Sequence, residues 1–203
     1  MIDQEAHVAA PSIVPLRVND LKQYEYCPRI VFYNTVMPVE RKSTVKMERG
    51  KEEEFRLDAL EKRRSLRRYQ LLSGERRFHV WLDSPKLGLS GRLDLLIISP
   101  SGFFPVDFKY THGRPHRNHL IQLAGYALLV EENFQTQVDT GFIYLTPIQE
   151  IVAVSLSTHL KDQAMSHLQE IRSMIREGIL PDPTPVRSRC EDCEFRNYCG
   201  DIF

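Results

Sequence analysis

The four cysteines of this 203-residue chain stand at its two ends, and this distribution constrains the fold more than any other feature. Cys27 stands alone near the N-terminus, whereas the other three form a Cys-x2-Cys-x5-Cys motif at positions 190, 193 and 199. Four thiolates are a common ligand set for an iron–sulfur cluster or a structural zinc ion. We therefore predict that one metal centre joins the two ends of the chain, with the rest of the fold between them.

The first fifteen residues predict a flexible arm and not a secretory signal, because they carry Asp3, Glu5 and Pro11 and lack an apolar core. No segment is long and apolar enough to predict a membrane span. We expect a cytoplasmic protein, in which cysteines bind metals more often than they form disulfides. Residues 16–203 have a length that fits one domain, with the cysteine motif included.

The apolar pattern predicts alternating helices and strands. Helical periodicity is expected over 21–26, 46–69, 117–132 and 158–177. Apolar runs bounded by turn residues predict strands over 78–82, 91–98, 103–108, 140–146 and 151–156. Residues 181–199 predict a proline-containing loop that carries the cysteine motif. This order of elements predicts an α/β fold with a mixed sheet flanked by helices.

Two aspartates in neighbouring predicted strands are the strongest candidates for catalytic residues. Asp94 lies within the apolar run Gly-Arg-Leu-Asp-Leu-Leu-Ile-Ile, and Asp107 lies in Pro-Val-Asp-Phe-Lys, which ends at Lys109. Side chains alternate along a strand, so Asp107 and Lys109 share one face. Carboxylates on adjacent strands can hold one Mg2+ or Mn2+ ion, and an ammonium beside them can orient an attacking water. An ordinary cross-strand ion pair is the alternative for each residue taken singly.

Gln122 and Tyr126 follow on the next predicted helix, four residues apart, and therefore share a helix face. From that face they are candidates to hydrogen-bond a DNA phosphate or the water around a metal. Taken alone, they are more typical of a helix surface with a half-buried tyrosine. The specific signal is the order of the whole set: a strand aspartate, a short hairpin, Asp-x-Lys on the next strand and Gln-x3-Tyr on the following helix.

This ordered set resembles the PD-(D/E)xK nuclease superfamily, in its RecB-like branch. The resemblance implies a restriction-endonuclease-like core in which Asp94 and Asp107 hold the metal. It also implies that Lys109 positions the water and that Gln122 and Tyr126 position DNA.

The cysteines restrict the resemblance to a smaller group of nucleases within this branch. Tyr-Cys-Pro-Arg around Cys27 and the C-terminal trio are similar to the CRISPR-associated RecB-like nucleases of the fourth Cas family. AddB-type and Dna-two-type nucleases share this arrangement, but the short chain without a helicase motif favours the Cas family. The resemblance implies a 4Fe-4S cluster on Cys27, Cys190, Cys193 and Cys199. It also implies DNA cleavage and a role in spacer acquisition with the Cas integrase and its small partner, as a separate chain or fused to the integrase.

One position departs from the pattern of these relatives. Many of them carry a histidine four residues after a glycine on the helix that precedes the strands, whereas here Gly50 is followed four residues later by Glu54. A carboxylate can bind Mg2+ or Mn2+ through oxygen, so Glu54 is predicted as a third metal ligand. The alternative is an ordinary charged residue of a helix.

Positive charge is concentrated locally, although the net charge of the chain is zero. The densest patch lies in the predicted charged helix, and four of its arginines are predicted to bind DNA: Arg63, Arg64, Arg67 and Arg68. A solvated helix face with internal ion pairs is the alternative. The histidines at 112, 116 and 119 predict a loop over the DNA path, with zinc binding as the alternative.

Together these features predict a metal-dependent DNA nuclease that trims or cleaves single-stranded ends or overhangs of prespacers during CRISPR adaptation. Two alternatives stay open. The missing family histidine is compatible with a catalytically weak DNA-binding subunit that selects and protects ends for the integrase. The fold alone is equally compatible with a DNA-repair exonuclease.

Overall fold

The computed structural model of the protein describes residues 13–39 and 61–200. The helices and strands in these ranges follow the predicted order. They are β1 (Leu16–Arg17), α1 (Val18–Tyr26), α2 (Pro28–Thr35), a 3-10 helix (Leu66–Tyr69), β2 (Glu75–Ser84), β3 (Leu89–Ser99), β4 (Gly102–Lys109), α3 (Arg117–Phe134), β5 (Thr140–Leu145), β6 (Glu150–Ser155), α4 (Thr158–Glu177), a second 3-10 helix (Arg187–Cys190) and α5 (Arg196–Cys199).

The six described strands form one mixed sheet in the order β1-β3-β4-β5-β6, with β2 beside β3. β3 pairs antiparallel with β2 and β4, whereas β4 and β5 run parallel. A parallel pair needs a long crossover connection, and α3 provides it. The predicted α/β architecture with a mixed sheet flanked by helices is therefore confirmed.

The apolar residues form two clusters, one on each face of the sheet. The larger cluster buries one sheet face against α1, α2, α3 and α4. The smaller cluster lies on the opposite face, where Leu66, Tyr69 and Leu71 cover apolar residues of the strands. Both faces of the central strands are thus covered, which explains why residues 95–98 of β3 and most of β5 are apolar.

α1 approaches the sheet closely because glycines face it. A Cβ atom on Gly91 of β3 would stand 3.0 Å from Val18, and one on Gly125 of α3 would stand 2.7 Å from Leu21. Interiors of proteins are close-packed, so larger residues at these two positions would push α1 outwards. The glycines therefore fix α1 across β3 and α3, beside the predicted catalytic strands.

The chain bends at Cys27, between α1 and α2. Pro28 cannot continue α1, because it lacks an amide donor and restricts the residue before it. Cys27 accordingly adopts an extended conformation with φ −162° and ψ 117°, and Pro28 begins α2. The bend leaves Cys27 only 8% exposed, in a cavity that it shares with the C-terminal segment.

The predicted helix over 46–69 is wrong at its C-terminal end. Residues 62–65 form a turn, and Leu66–Tyr69 is a separate 3-10 helix. Ser65 caps this helix by accepting a hydrogen bond from the Arg67 N–H at 3.2 Å, and Gln70 ends it with a left-handed φ of 59°. The part of the prediction over 46–60 lies outside the described residues.

The prediction also differs at both ends of the chain. β1 is missing from the prediction because a two-residue strand leaves no periodic signal. The C-terminal loop contains two short helical turns, which end at Cys190 and Cys199, and Cys193 lies between them. The predicted arm lies outside the described residues except for 13–15, and the single domain over 16–203 stays a prediction. No helix in the described ranges is both long and apolar enough to cross a bilayer.

Candidate functional site

Asp94 lies where the regular pairing of the sheet is interrupted. The β2–β3 ladder pairs the residues on either side of Asp94 but omits Asp94 and the opposite residue of β2, His79. The φ of His79 is 53°, which is left-handed. The β3–β4 ladder ends one residue away, at Leu95. Beyond that point the Oδ2 atom of Asp94 accepts a hydrogen bond from the Phe108 N–H at 2.7 Å. The carboxylate therefore replaces a backbone acceptor where β3 and β4 separate.

Asp107 and Lys109 lie on one side of β4, as the strand period predicts. β4 pairs them with Ile143 and Leu145 of β5, whose side chains belong to the helix-side cluster. Asp107 is 2% exposed, and its Oδ2 atom forms an ion pair with the Nζ atom of Lys109. The pair thus brings a buried carboxylate and an ammonium to the face of the sheet that the helices cover.

α3 places Gln122 and Tyr126 next to the carboxylates, and both residues are buried. The hydroxyl of Tyr126 donates a hydrogen bond to the Arg92 carbonyl at 2.8 Å, which ties α3 to β3. Burial, and then the charges of Asp107 and Asp94, raise the pKa of Tyr126 above its usual range, so the phenol stays protonated. The structure brings the predicted pair to the site, with the Tyr126 hydroxyl directed at the protein backbone.

Lys22 of α1 also belongs to this charged cluster, and sequence reasoning missed it. Burial, followed by the positive charge of Lys109, lowers the pKa of Lys22 to about 8, whereas Asp107 and Asp94 oppose the shift. Lys22 lies one turn after Val18, on the helix face that packs against β3 and α3. No local pattern in the sequence brings residue 22 to residue 107, because the contact depends on how α1 packs.

His119 of α3 is a second neighbour that the prediction did not assign to the site. Burial, and then the charges of Lys109 and Lys22, lower its pKa to about 3, so the imidazole is neutral at physiological pH. Its Nδ1 atom accepts a hydrogen bond from the His116 N–H at 3.3 Å, so the neutral ring carries its proton on Nε2. His119 lies three residues before Gln122, and this spacing is the sequence signal that places the two side chains on one helix face.

The oxygen atoms of the site fit a divalent cation. Asp94 and Asp107 come from adjacent strands, and within the described ranges Gln122 Oε1 is a buried atom without a hydrogen-bond donor, whereas the buried Asp107 Oδ2 has the Lys109 ammonium as its partner. Hard cations prefer carboxylate and amide oxygens. Glu54 lies outside the described residues, so its role as a third ligand stays a prediction. In residues 13–39 and 61–200 no three His, Cys, Asp or Glu side chains form a ready ligand group for one ion, and this includes the histidines around position 116.

The four cysteines come together at a second centre. All four line one cavity between α1, α2 and the C-terminal segment, and all four are free thiols. Burial, opposed by the Phe195 N–H and reinforced by the three other cysteines, raises the pKa of Cys193. The predicted grouping of one early and three late cysteines is therefore present in the described chain.

Arginines and aromatic rings hold the two ends of the chain around this cavity. Arg29 donates hydrogen bonds from Nη1 to the carbonyl and to the Sγ atom of Cys199, both at 3.3 Å. Arg189 donates to the Tyr26 carbonyl at 2.7 Å. Phe195 is 1% exposed and stacks on Tyr33. The donor set fits an anionic thiolate-bound group, because cations and an N–H group surround the sulfur atoms.

The predicted DNA-binding arginines separate into two pairs. Arg64 forms an ion pair with the fully buried Glu61 at 2.8 Å and donates a hydrogen bond to the Tyr144 hydroxyl. Arg68 lies 3.6 Å from the same carboxylate and donates to the Gln149 carbonyl at 2.6 Å. These two arginines neutralise a buried acid.

Arg63 and Arg67 are exposed, and their side chains form no hydrogen bond or ion pair in the part of the chain that the structure describes. They are therefore the members of the patch that stay candidates for binding DNA.

We expect the two pairs to respond differently to alanine substitution. Arg63→Ala with Arg67→Ala should reduce the slope of log affinity against log salt by about 1.5 to 2, and leave the unfolding temperature unchanged. Arg64→Ala should lower the free energy of unfolding by about 3 kcal/mol, because it leaves Glu61 buried with a weaker partner. Salt-dependent fluorescence anisotropy and urea unfolding measure the two effects. Equal salt slopes in the double variant and the wild type would contradict the assignment of Arg63 and Arg67.

Comparison with known proteins shows the family to which this chain belongs. The model of the PD-(D/E)XK nuclease superfamily matches residues 28–200. The CRISPR-associated exonuclease Cas4 of Francisella tularensis subsp. novicida is 30% identical over 184 residues, which cover 91% of this chain and 93% of that protein. This chain belongs to the Cas4 family of PD-(D/E)XK nucleases. The predicted family is therefore confirmed.

Other members of the Cas4 family extend this result. A CRISPR-associated exonuclease Cas4/endonuclease Cas1 fusion of Geobacter sulfurreducens is 24% identical over 203 residues, which cover 92% of this chain and 34% of the fusion. The crystal structure of SSO0001 covers 97% of this chain and 90% of its own, with a TM-score of 0.56 and 19% identity, and shows the fold alone. The chain is thus similar both to separate Cas4 proteins and to the Cas4 part of a fusion.

Proposed function

We propose that this nuclease of the Cas4 family trims single-stranded overhangs from prespacer DNA before a Cas1-type integrase inserts it. The observation that carries the proposal is the buried cluster of Asp94, Asp107 and Lys109 in a chain of this family. The relative in which Cas4 and Cas1 form one polypeptide supports action beside an integrase. We extend this partnership to the integrase's small partner subunit, as the family resemblance implies.

Each residue of the cluster has a role that its position supports. Asp94 and Asp107 would hold Mg2+ or Mn2+, which when bound activates water and stabilises charge on the phosphate. Lys109, held against Asp107, orients the attacking water and offsets phosphate charge. Gln122 offers its unpaired Oε1 atom to this site. Tyr126 holds α3 against β3 through its hydrogen bond to the Arg92 carbonyl. Glu54, if it joins them, completes the oxygen ligands.

The cysteine centre has a different role in this proposal. Cys27, Cys190, Cys193 and Cys199 would hold a 4Fe-4S cluster that fastens the C-terminal segment to α1 and α2. Four thiols around one shared cavity are compatible with such a cluster. The cluster binds the ends of the chain together, and cleavage is assigned to the carboxylate site.

The proposal is tested with Lys109→Gln, which removes the ammonium but keeps a polar side chain beside Asp107. The variant should still bind the integrase and a prespacer with overhangs, while overhang removal in Mn2+ slows about 100-fold or more. Lys86→Gln is the matched control, because Lys86 pairs with Glu132 on the surface at 2.8 Å. Gel analysis of labelled DNA, with and without the integrase, measures both outcomes.

The same experiment separates the rival functions. If the wild-type chain binds the integrase and DNA but never cuts, it is an end-selecting subunit. If it cuts overhangs but neither binds an integrase nor alters DNA held by one, a repair nuclease becomes the better assignment. Overhang removal by Lys109→Gln at the wild-type rate would contradict the assignment of the active site.

A further inference from the structure

Lys22 combines two properties that structural lysines rarely share. It is half-buried, and it forms no hydrogen bond or ion pair among residues 13–39 and 61–200. Every other lysine that the structure describes as half-buried has a partner: Lys109 has Asp107, and Lys161 has Glu131 at 2.6 Å. A partly buried ammonium without a partner is costly. The described residues therefore leave the charge of Lys22 uncompensated.

The position of Lys22 indicates what that interaction is. The close packing of Val18 against Gly91 and of Leu21 against Gly125 fixes α1 across the site. One turn after Val18 on the same helix face, Lys22 lies where the charges of Lys109, Asp107 and Asp94 act on its ammonium. Asp107 is already paired with Lys109. The ammonium of Lys22 thus stands beside the carboxylates without being bound to either.

The charge balance of the site favours an anion as the missing partner. The carboxylates of Asp94 and Asp107 balance the ammonium groups of Lys22 and Lys109 only while they hold no cation. Once they bind a divalent cation, neither Asp94 nor Asp107 is left to neutralise the two lysines. A phosphodiester is the anion that a nuclease site receives. The lowered pKa of Lys22 is consistent with an ammonium that still lacks such a partner.

We propose that Lys22 is a second catalytic lysine, whose ammonium binds a non-bridging oxygen of the phosphodiester held beside Asp94 and Asp107. This inference rests on the nuclease function proposed above and adds a residue to its site. Lys109 orients the water, whereas Lys22 holds the phosphate that is attacked. α1 therefore contributes directly to the site, together with the strands and α3.

The test compares Lys22→Met with Lys161→Met in the full chain. Single-turnover cleavage of labelled overhang DNA in Mn2+ should slow about 10- to 100-fold in Lys22→Met, the loss expected for one charge-assisted hydrogen bond. Its unfolding temperature should stay equal to that of the wild type or rise, because an uncompensated charge is removed. Lys161→Met should cut at the wild-type rate and unfold at a lower temperature. Lys22→Arg should recover at least about a third of the wild-type rate.

Two results would overturn the role of Lys22 while leaving the proposed function intact. One is wild-type cleavage by Lys22→Met in a preparation where Asp107→Asn is inactive. The other is a fall in unfolding temperature like that of Lys161→Met, which would show a structural lysine. If the wild-type chain cuts no DNA, the proposed function fails. A DNA-binding measurement then tests whether Lys22 contacts a phosphate. The salt slope of Lys22→Met should then be smaller by about 0.7 to 0.9, and an unchanged slope would refute the contact.

Discussion

Asp107→Asn should abolish metal-dependent cleavage, with a loss of about 1,000-fold or more. The substitution keeps the shape of the side chain but removes a carboxylate charge that a divalent cation needs, worth about 4 kcal/mol of transition-state stabilisation. DNA affinity measured without cleavage should stay the same or increase, because a negative charge near the phosphate is removed. Single-turnover cleavage in a Mn2+ series, together with fluorescence anisotropy, measures both quantities.

Asp83→Asn is the matched control for this substitution. Asp83 lies on the neighbouring strand β2 and is exposed, so its loss removes the same charge from the same sheet outside the site. The control should cleave as the wild type does. If Asp107→Asn retained more than about a tenth of the activity, the metal would have to be bound elsewhere.

Cys27→Ser should have the largest effect on stability. If the four cysteines hold one 4Fe-4S cluster, the variant should lose the brown colour and the iron of the anaerobically purified protein. Metal-binding free energy is folding free energy in such a centre, so unfolding should become easier by about 5 kcal/mol or more. Visible absorption, metal analysis and thermal unfolding give the three readouts.

A double substitution shows whether the cysteines act as one centre. Cys193→Ser alone should lower the free energy of unfolding about as much as Cys27→Ser does. The variant with both substitutions should lower it little further, because the loss of one ligand already destroys the shared centre. Additive losses would mean two independent sites. A colourless wild-type protein that carries stoichiometric zinc would replace the cluster with a zinc site.

The strands and the last long helix could be predicted from the sequence because local signals define them. α4 begins after Ser157, which caps it by accepting a hydrogen bond from the Leu160 N–H at 3.3 Å, and it ends before Gly178, whose φ of 66° suits glycine. Asp107 and Lys109 share a face because strand periodicity is also local. The order of these elements was sufficient to predict the fold and the neighbouring positions of Asp94, Asp107 and Lys109.

The parts that could not be predicted depend on contacts between distant segments. Glu61 determines the roles of Arg64 and Arg68, and this requires the Tyr144 and Gln149 region to fold over residues that lie about 80 positions earlier. A run of arginines looks the same in a sequence whether it faces DNA or a buried acid. Lys22 illustrates the same limit, because two glycines on other elements decide where α1 lies.

The path of α1 has a consequence for how the protein matures. This nine-residue helix carries Lys22 at the carboxylate site and leads directly into Cys27, the first cysteine of the second centre. If the proposed cluster forms there, a newly made chain without iron would hold that end of the helix only by protein contacts, such as the Arg189 hydrogen bond to the Tyr26 carbonyl. We expect such a chain to leave DNA intact until assembly is complete. Cleavage would then depend on iron delivery, so a nuclease chain without its cluster would not cut the genomic DNA around it.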